Sequence, residues 1–247
     1  MNPFSLEGKA ILVTGASSGI GKAIAIECSK MRATIILTAR NEERLQKTMS
    51  RLHGRGHRCI SAELTDEASL DDLVGQLGVL DGVVLCAGKA MTLPFQFNTN
   101  EKVKDIFEVN FFAQVNLLRL LYKKKLVKKE GSIVIISSIA GNYDISIGHS
   151  AYGASKAAIN SVMKYCAKEF AARKIRVNSI CPGMVETPLI HRGTVSAEQL
   201  EKDKANYLLK RYGQPEDIAY AAIYLLSNAS SWVTGQDLKV DGGVNLN

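Results

Sequence analysis

Ala10-Ile11-Leu12-Val13-Thr14-Gly15-Ala16-Ser17-Ser18-Gly19-Ile20-Gly21 is the stretch on which the fold turns. A β-branched, apolar run runs into a glycine-rich turn, and an amphipathic segment from about Ile20 to Met31 follows as a helix. Gly15 permits the tight turn, while Gly19 and Gly21 let backbone and helix approach a pyrophosphate closely. The amides at the helix start then face phosphate charge. The spacing is GxxxGxG rather than GxGxxG, and a glycine triplet alone also fits a plain turn. The strand before it and the helix after it favour the phosphate cradle.

Outward from this unit the chain keeps alternating. Thr34–Thr38, Arg58–Ala62, Gly82–Cys86, Ser132–Ser137, Arg176–Ile180 and Gln236–Val240 read as strands. Helical segments at Glu42–Leu52, Glu101–Leu126, Ala151–Ala172 and Pro215–Leu226 lie between them. Strands apolar on both faces and joined by helices predict a parallel sheet covered on both sides. No repeat, low-complexity tract or linker interrupts the pattern. The expectation is α/β: a single doubly wound Rossmann domain over residues 1–247, with a parallel seven-stranded sheet. The irregular stretch from Pro182 to Arg211, with a polar helical segment at Ser196–Leu209, predicts a lid over roughly 184–211 at the carboxyl end of the sheet.

The 247 residues are 46% hydrophobic and 22% charged, which leaves no room for a disordered majority. Cys28, Cys59, Cys86, Cys166 and Cys181 form an odd, scattered set without a CxxC pair. That argues for small core thiols in a reducing compartment. Met1–Lys9 has no basic-then-apolar leader and no apolar run reaches membrane-spanning length, so a cytoplasmic location away from membranes is expected. The net charge of +7 suits an anionic partner, but no nucleic-acid-binding motif accompanies it.

The end of the second strand bears on the dinucleotide. NAD-binding chains usually place a carboxylate there for the ribose hydroxyls. Leu37-Thr38-Ala39-Arg40-Asn41 offers Arg40 instead, and a guanidinium suits a 2′-phosphate. A solvated arginine at a strand end is the plainer alternative. Ser17 and Ser18 can add hydrogen bonds to the same phosphate, so NADP(H) is preferred over NAD(H). Farther on, Tyr152 and Lys156 stand four residues apart in Tyr152-Gly-Ala-Ser-Lys156 and share one helix face. An ammonium beside a phenol favours the phenolate and brings its pKa toward the working range.

With these motifs in order, the chain resembles the short-chain dehydrogenase/reductase family over essentially its whole length. The resemblance rests on Thr14–Gly21, the Ala87-Gly88 turn, Asn110, Ser138, Tyr152 with Lys156, Pro182-Gly183 and the terminal Val240-Asp241-Gly242-Gly243. It implies that Tyr152 is the general acid in carbonyl reduction and the base in reverse. Ser138 would hydrogen-bond the same oxygen. Lys156 would hold the nicotinamide ribose and lower the pKa of Tyr152, and Asn110 would position a water beside Lys156. Ser137 is the rival serine, but Ser138, followed by Ile139-Ala140-Gly141, fits the family pattern better. The resemblance puts Gly15, Ser17, Ser18, Gly19, Ile20, Gly21, Arg40, Leu64, Ala87, Gly88, Pro182, Gly183, Val185 and Thr187 at the cofactor.

Three departures stand out. The family's Asn-Asn-Ala-Gly is Leu85-Cys86-Ala87-Gly88, Glu63 takes the place of an aspartate before Leu64, and the gap from Ser138 to Tyr152 is about one residue long. The first predicts altered hydrogen bonding with activity retained; the last leaves the substrate loop Asn142–Ser150 open.

No metal site is expected. His53 and His57 are separated by helix-breaking Gly54 and Gly56, and no cysteine or acidic pair completes a ligand set. His149 and His191 fall in the substrate loop and lid, and Trp232 is expected to anchor the C-terminal segment. Lys123-Lys124-Lys125 and Lys128-Lys129 are expected to end the long helix, where cations are favoured. Docking of an acidic acyl carrier protein, with Arg173-Lys174 as a second contact, is the functional alternative. The resulting expectation is an NADPH-dependent carbonyl reductase of the 3-oxoacyl-[acyl-carrier-protein] reductase-like branch. A sugar, polyol or hydroxysteroid dehydrogenase is the rival enzyme, and a catalytically idle dinucleotide-binding scaffold or sensor the rival outside catalysis. The resemblance also implies a homotetramer.

Overall fold

The alternation of apolar residues along each strand explains the layering. In β1 (Ala10–Thr14), Ile11 and Val13 face one helical layer and Leu12 the other, all fully buried. A strand buried on both faces needs this continuous apolar run. The computed structural model describes residues 2–188, 190 and 196–246. Its sheet is seven-stranded and parallel throughout, in the order β3-β2-β1-β4-β5-β6-β7. The other strands are β2 (Thr34–Ala39), β3 (Arg58–Ser61), β4 (Leu80–Leu85), β5 (Val127–Ile136), β6 (Arg176–Pro182) and β7 (Asp237–Val240). The expected doubly wound Rossmann sheet is therefore the architecture found.

Helices α1 (Gly19–Lys30), α2 (Glu42–Met49) and α8 (Pro215–Leu226) cover one face. The other carries α3 (Glu67–Gly75), α5 (Ala113–Lys123) and α6 (Ser150–Phe170). Among the described residues, α4 (Asn100–Phe107) and α7 (Ala197–Lys204) complete the helices. Because β1 pairs with β2 on one side and β4 on the other, the crossovers leave in opposite directions. A crevice opens at the carboxyl ends where the chain direction switches.

Several expectations are corrected. The segment 101–126 is not one helix: α4 and α5 are separated by a π-helical turn at Glu108–Phe112, which carries the buried Asn110. The short α3 escapes the sequence reading. β5 begins at Val127, because Leu80 pairs with Val127 and its amide bonds the Leu126 carbonyl at 2.7 Å. Lys128 and Lys129 thus extend a strand instead of ending a helix, and Lys128 pairs with Asp81 at 3.0 Å. Trp232 is 98% exposed, so the expected anchoring of the C-terminal segment is not found among the described residues. In the lid region α7 is tied down by Tyr212, whose hydroxyl donates to the Asp203 carboxylate at 2.8 Å. His191 and the centre of the expected lid lie outside the described residues.

Candidate active site

The crevice is a groove of about 330 Å³ that runs from the end of β2 to the start of α6. Its middle is shaped by two glycines. Gly15 holds φ at +64°, and a Cβ there would sit 3.0 Å from Ala87 backbone atoms. At Gly21 a Cβ would lie 2.5 Å from the Gly15 carbonyl oxygen, so α1 packs directly on the turn. Opposite, the Thr14 hydroxyl accepts from the amides of Cys86 (2.9 Å) and Ala87 (3.0 Å). Gln114 donates to the Ala87 carbonyl at 2.6 Å. Main chain and Thr14 thus hold the turn in which Cys86 replaces the family asparagine.

A dinucleotide fits this cradle. Backbone lies bare at the turn, and the first turn of α1 has no acidic residue to repel phosphate. Ser18 is the N-cap of α1 without a side-chain capping bond. Ser17, Ser18, Gly19, Ile20, Ala87, Gly88 and Thr187 all line the groove, and so does the largely buried Leu64. At the far end stand Arg40 and Arg44. Arg40 is exposed and donates to Glu63 at 3.4 Å, so the residue that departs from the family pattern is its partner. Pro182, Gly183 and Val185 do not line the groove: Pro182 ends β6, Gly183 packs on Asp241, and Val185 enters the core beside α1 and α8.

At the near end α6 carries Tyr152 and Lys156. Lys156 is buried and donates to the Ile136 carbonyl at 3.0 Å. Burial holds its ammonium down at about 8, although the neighbouring Cys86 and Cys181 thiols oppose the shift. Tyr152 moves the other way from the expectation. Burial raises its phenol above the ordinary value, and the adjacent Ser138 hydroxyl only partly offsets this. The Lys156 ammonium lies 5.9 Å from the Tyr152 ring centre. Burial is the dominant cause in the free protein, so the expected lowering of the phenol by Lys156 is not found.

The two candidate serines separate cleanly. Ser137 donates to the Lys156 carbonyl at 3.2 Å, so its proton is engaged with the helix backbone. Ser138 accepts the Ala140 amide at 3.2 Å and stands beside the phenol. Asn110 is fully buried; its carbonyl accepts the Lys89 amide at 2.9 Å, and its amide donates to the Lys89 carbonyl and the Ser155 hydroxyl. Ser155 in turn donates to the Tyr152 carbonyl at 2.7 Å. A Cβ on Gly88 would meet Asn110 Oδ1 at 3.2 Å and Lys156 Nζ at 3.5 Å, which shows how closely both approach that turn. Sequence reading missed Ser155, Gln114 and Arg44. Gln114 had a signal, since it stands four residues after Asn110 on the same side of the helical segment.

A family described as "Enoyl-(Acyl carrier protein) reductase" matches residues 15–245. The 3-oxoacyl-[acyl-carrier-protein] reductase FabG of Thermotoga maritima is 33% identical, with 97% of this chain and 98% of the relative covered. A solved short chain dehydrogenase/reductase family protein superposes with a TM-score of 0.86 at 33% identity, covering 98% of this chain and all 100% of its own. The chain belongs to the short-chain dehydrogenase/reductase family. A structure described as an NAD(P)-dependent gluconate 5-dehydrogenase from Beutenbergia cavernae, with NADP bound, gives a TM-score of 0.89 at 29% identity over 100% of both chains.

As an oxidoreductase of the short-chain dehydrogenase/reductase family, which uses a nicotinamide dinucleotide, the chain presents two loops beside Tyr152. They are stitched together: Leu93 donates to the Gly148 carbonyl at 2.8 Å, Thr92 meets His149 at 3.0 Å, and Asn98 donates to Ser150 at 2.9 Å. His149 also stands edge-on to the Tyr152 ring, with centroids 6.1 Å apart. Tyr143 roots the second loop on β7 through Asp237 at 3.3 Å, with Lys239 above its ring. Phe95, Ile145 and Ile147 are left almost fully exposed. His57 accepts the Ile35 amide at 3.0 Å and meets the His53 carbonyl at 2.9 Å, a structural role within a turn.

Proposed function

We propose that the protein is an NADPH-dependent reductase that converts a ketone to a secondary alcohol, with 3-oxoacyl thioesters as the substrate class. The carrying observation is the Tyr152–Lys156 pair at one end of a groove whose other end carries Arg40 and Arg44, with Ser138 hydrogen-bonded to the Tyr152 phenol. When bound, the nicotinamide supplies the hydride. Tyr152 donates the proton to the carbonyl oxygen as charge develops there, and its raised pKa keeps that proton in place at neutral pH. Ser138 donates to the same oxygen, a contribution typically worth about 10²–10³ in rate. Lys156 orients the ribose hydroxyls. Asn110 acts through Lys89 and Ser155, holding the Gly88 turn and the backbone of Tyr152 in register.

The absence of a carboxylate at the end of β2 supports NADPH, and the NADP-bound relative agrees with it. Phe95, Ile145 and Ile147 beside the mouth suit an acyl chain better than a polyol. The exposed cations Lys123, Lys124, Lys125 and Lys129 lie at the amino end of β5, on the edge opposite the crevice, so they do not support docking of an acidic acyl carrier protein that delivers substrate to Tyr152. Arg173 contributes less than expected from sequence, because it donates to the Val127 carbonyl at 2.8 Å. Exposed Phe112 and Tyr165 on the long-helix faces are consistent with a homotetramer, and a cytoplasmic location is consistent with the five free cysteines.

The test is NADPH oxidation with a short 3-oxoacyl thioester, run beside gluconate-type polyols and hydroxysteroids with both cofactors. Turnover of the thioester at least tenfold above the others is the expected result. Turnover confined to polyols would overturn the substrate class and keep the chemistry.

The Lys156 environment adds a pH dependence. A lysine whose folded pKa is depressed to about 8 is charged below that pH and neutral above it. The kcat/KM for reduction reports the free enzyme, so it should be level through pH 6–7 and fall above about pH 8. Lys156→Arg keeps its charge at every working pH and should move that limb upward, whatever its absolute rate. An unmoved limb would assign it to another group.

A further inference from the structure

The face of α6 that carries Tyr152 and Lys156 continues, in steps of four residues, through Asn160 to Lys164. Lys164 pairs at 3.1 Å with Asp237, whose side chain is only 4% exposed. The Ser179 hydroxyl donates to the same carboxylate at 2.6 Å, and the Tyr143 hydroxyl does so at 3.3 Å. Ser179 and Asn160 both meet the Cys181 thiol, at 3.8 and 3.7 Å, which ties the cluster to the catalytic helix a second time. On its outer side the Tyr143 ring is covered by the Lys239 ammonium, 5.1 Å from the ring centre. A buried carboxylate held by a cation and two hydroxyls is a firm anchor, because charge-assisted hydrogen bonds are the stronger ones.

Tyr143 begins the loop that leads to Tyr152, and the far end of that loop is the part stitched to residues 92–98. Gly148 makes the second tie possible. Its φ is +83°, and a Cβ there would lie 3.2 Å from Thr92 Cγ2 and 3.3 Å from the Leu93 amide nitrogen. Between the two ties Ile145 and Ile147 stand in solvent, 102% and 94% exposed, while Phe95 and Phe97 on the joined segment are 81% and 53% exposed. A single exposed apolar side chain needs no account, but four on two joined loops beside the proton donor mark a place where a ligand is received. Water around the two isoleucines is unfavourable, and a loop free at Tyr143 could turn them inward. Tied at both ends, the loop presents them without an ordering cost on binding.

We infer that Tyr143 is a positioning residue for the substrate: through Asp237 it registers Ile145 and Ile147 with Tyr152, and these two isoleucines bear the alkyl chain beyond the reacting carbonyl. The inference rests on the reductase reading above and deepens it, since it makes the length of that alkyl chain the feature the enzyme selects. The Tyr143 hydroxyl itself touches no substrate. It acts by fixing where the loop stands over the helix that holds the catalytic pair.

The experiment measures kcat and KM on the full chain for two series, 3-oxoacyl thioesters and 2-alkanones, each with acyl or alkyl chains of four, seven and ten carbons. Wild type is compared with Tyr143→Phe, which keeps the ring under Lys239 and loses the bond to Asp237, and with the double variant Ile145→Ser/Ile147→Ser. In wild type KM is expected to fall at least tenfold from the shortest to the longest member. Both variants should lose at least fivefold of that gain, with kcat on the shortest member and dinucleotide affinity within twofold of wild type. A gain seen only with alkanones and lost in both variants would also support the subsite, while rejecting thioesters as the substrate class. A purely structural role for Tyr143 would lower kcat at every chain length alike, and that result would overturn the inference. So would a wild-type KM that ignores chain length, or variants that keep the whole gain. Turnover of neither series, with polyols reduced, would overturn the acyl-substrate reading and this inference with it.

Discussion

Tyr152→Phe should lower carbonyl reduction by roughly 10²–10⁴-fold, the range of a positioned general acid, while dinucleotide affinity stays within about twofold. The phenol hydroxyl is the proton source next to Ser138, and burial keeps it protonated at neutral pH. Its removal leaves Lys156 bonded to Ile136 and the glycine turn intact, since neither depends on the hydroxyl. The ring packing against His149 is also kept. Single-turnover reduction and a fluorescence titration with NADPH separate the two quantities. Near-normal turnover in the variant would remove Tyr152 from the mechanism. A wild type that binds the dinucleotide but turns over none of the substrate panel would favour a scaffold or sensor over a reductase.

Gly21→Ala should damage the cofactor end as severely. The new methyl would lie 2.5 Å from the Gly15 carbonyl oxygen, 2.8 Å from its carbon and 3.1 Å from the Thr14 oxygen. All three are backbone atoms in the cradle, so no side chain can swing aside. Either α1 moves off the turn or the turn opens, at a cost of about 1–3 kcal/mol in stability. Dinucleotide affinity should drop by at least tenfold, because the amides that face the pyrophosphate move with the helix. Gly75→Ala serves as the control. A Cβ there meets nothing within 4 Å, and it lies in a helix, where alanine is favoured over glycine by roughly 0.5–1 kcal/mol. A dinucleotide titration and thermal unfolding of both variants check the pair. Wild-type affinity in Gly21→Ala would show that the close helix–turn contact is not required.

The Tyr152/Lys156 pair illustrates where a linear reading stops. Helical spacing correctly puts both residues on α6, but the sign of a pKa shift depends on what surrounds the groups. Here burial is the largest cause of both shifts, raising the phenol and depressing the ammonium. Lys128 and Lys129 illustrate a second limit. A run of lysines after a helix reads as its end, yet the Leu80–Val127 pairing draws the run into β5. Strand pairing is a contact between distant segments, so nothing local announces it. Trp232 is a third case: tryptophan is highly buried on average, yet this ring is 98% exposed, and burial is set by what the rest of the chain packs against it.

The sequence by itself determined the parallel αβ architecture, the glycine cradle and the register that joins Tyr152 to Lys156. Each is encoded over a few neighbouring residues: the alternation of apolar side chains, the missing Cβ atoms, and the helical repeat. Only the tertiary structure decided that Ser137 is engaged by the Lys156 carbonyl and that Asn110 clamps Lys89 to Ser155. The same holds for Arg40 facing Glu63. These are encounters between residues 19 to 45 positions apart in the bonded cases. Packing of strands and helices creates them, and with them the burial that governs charge.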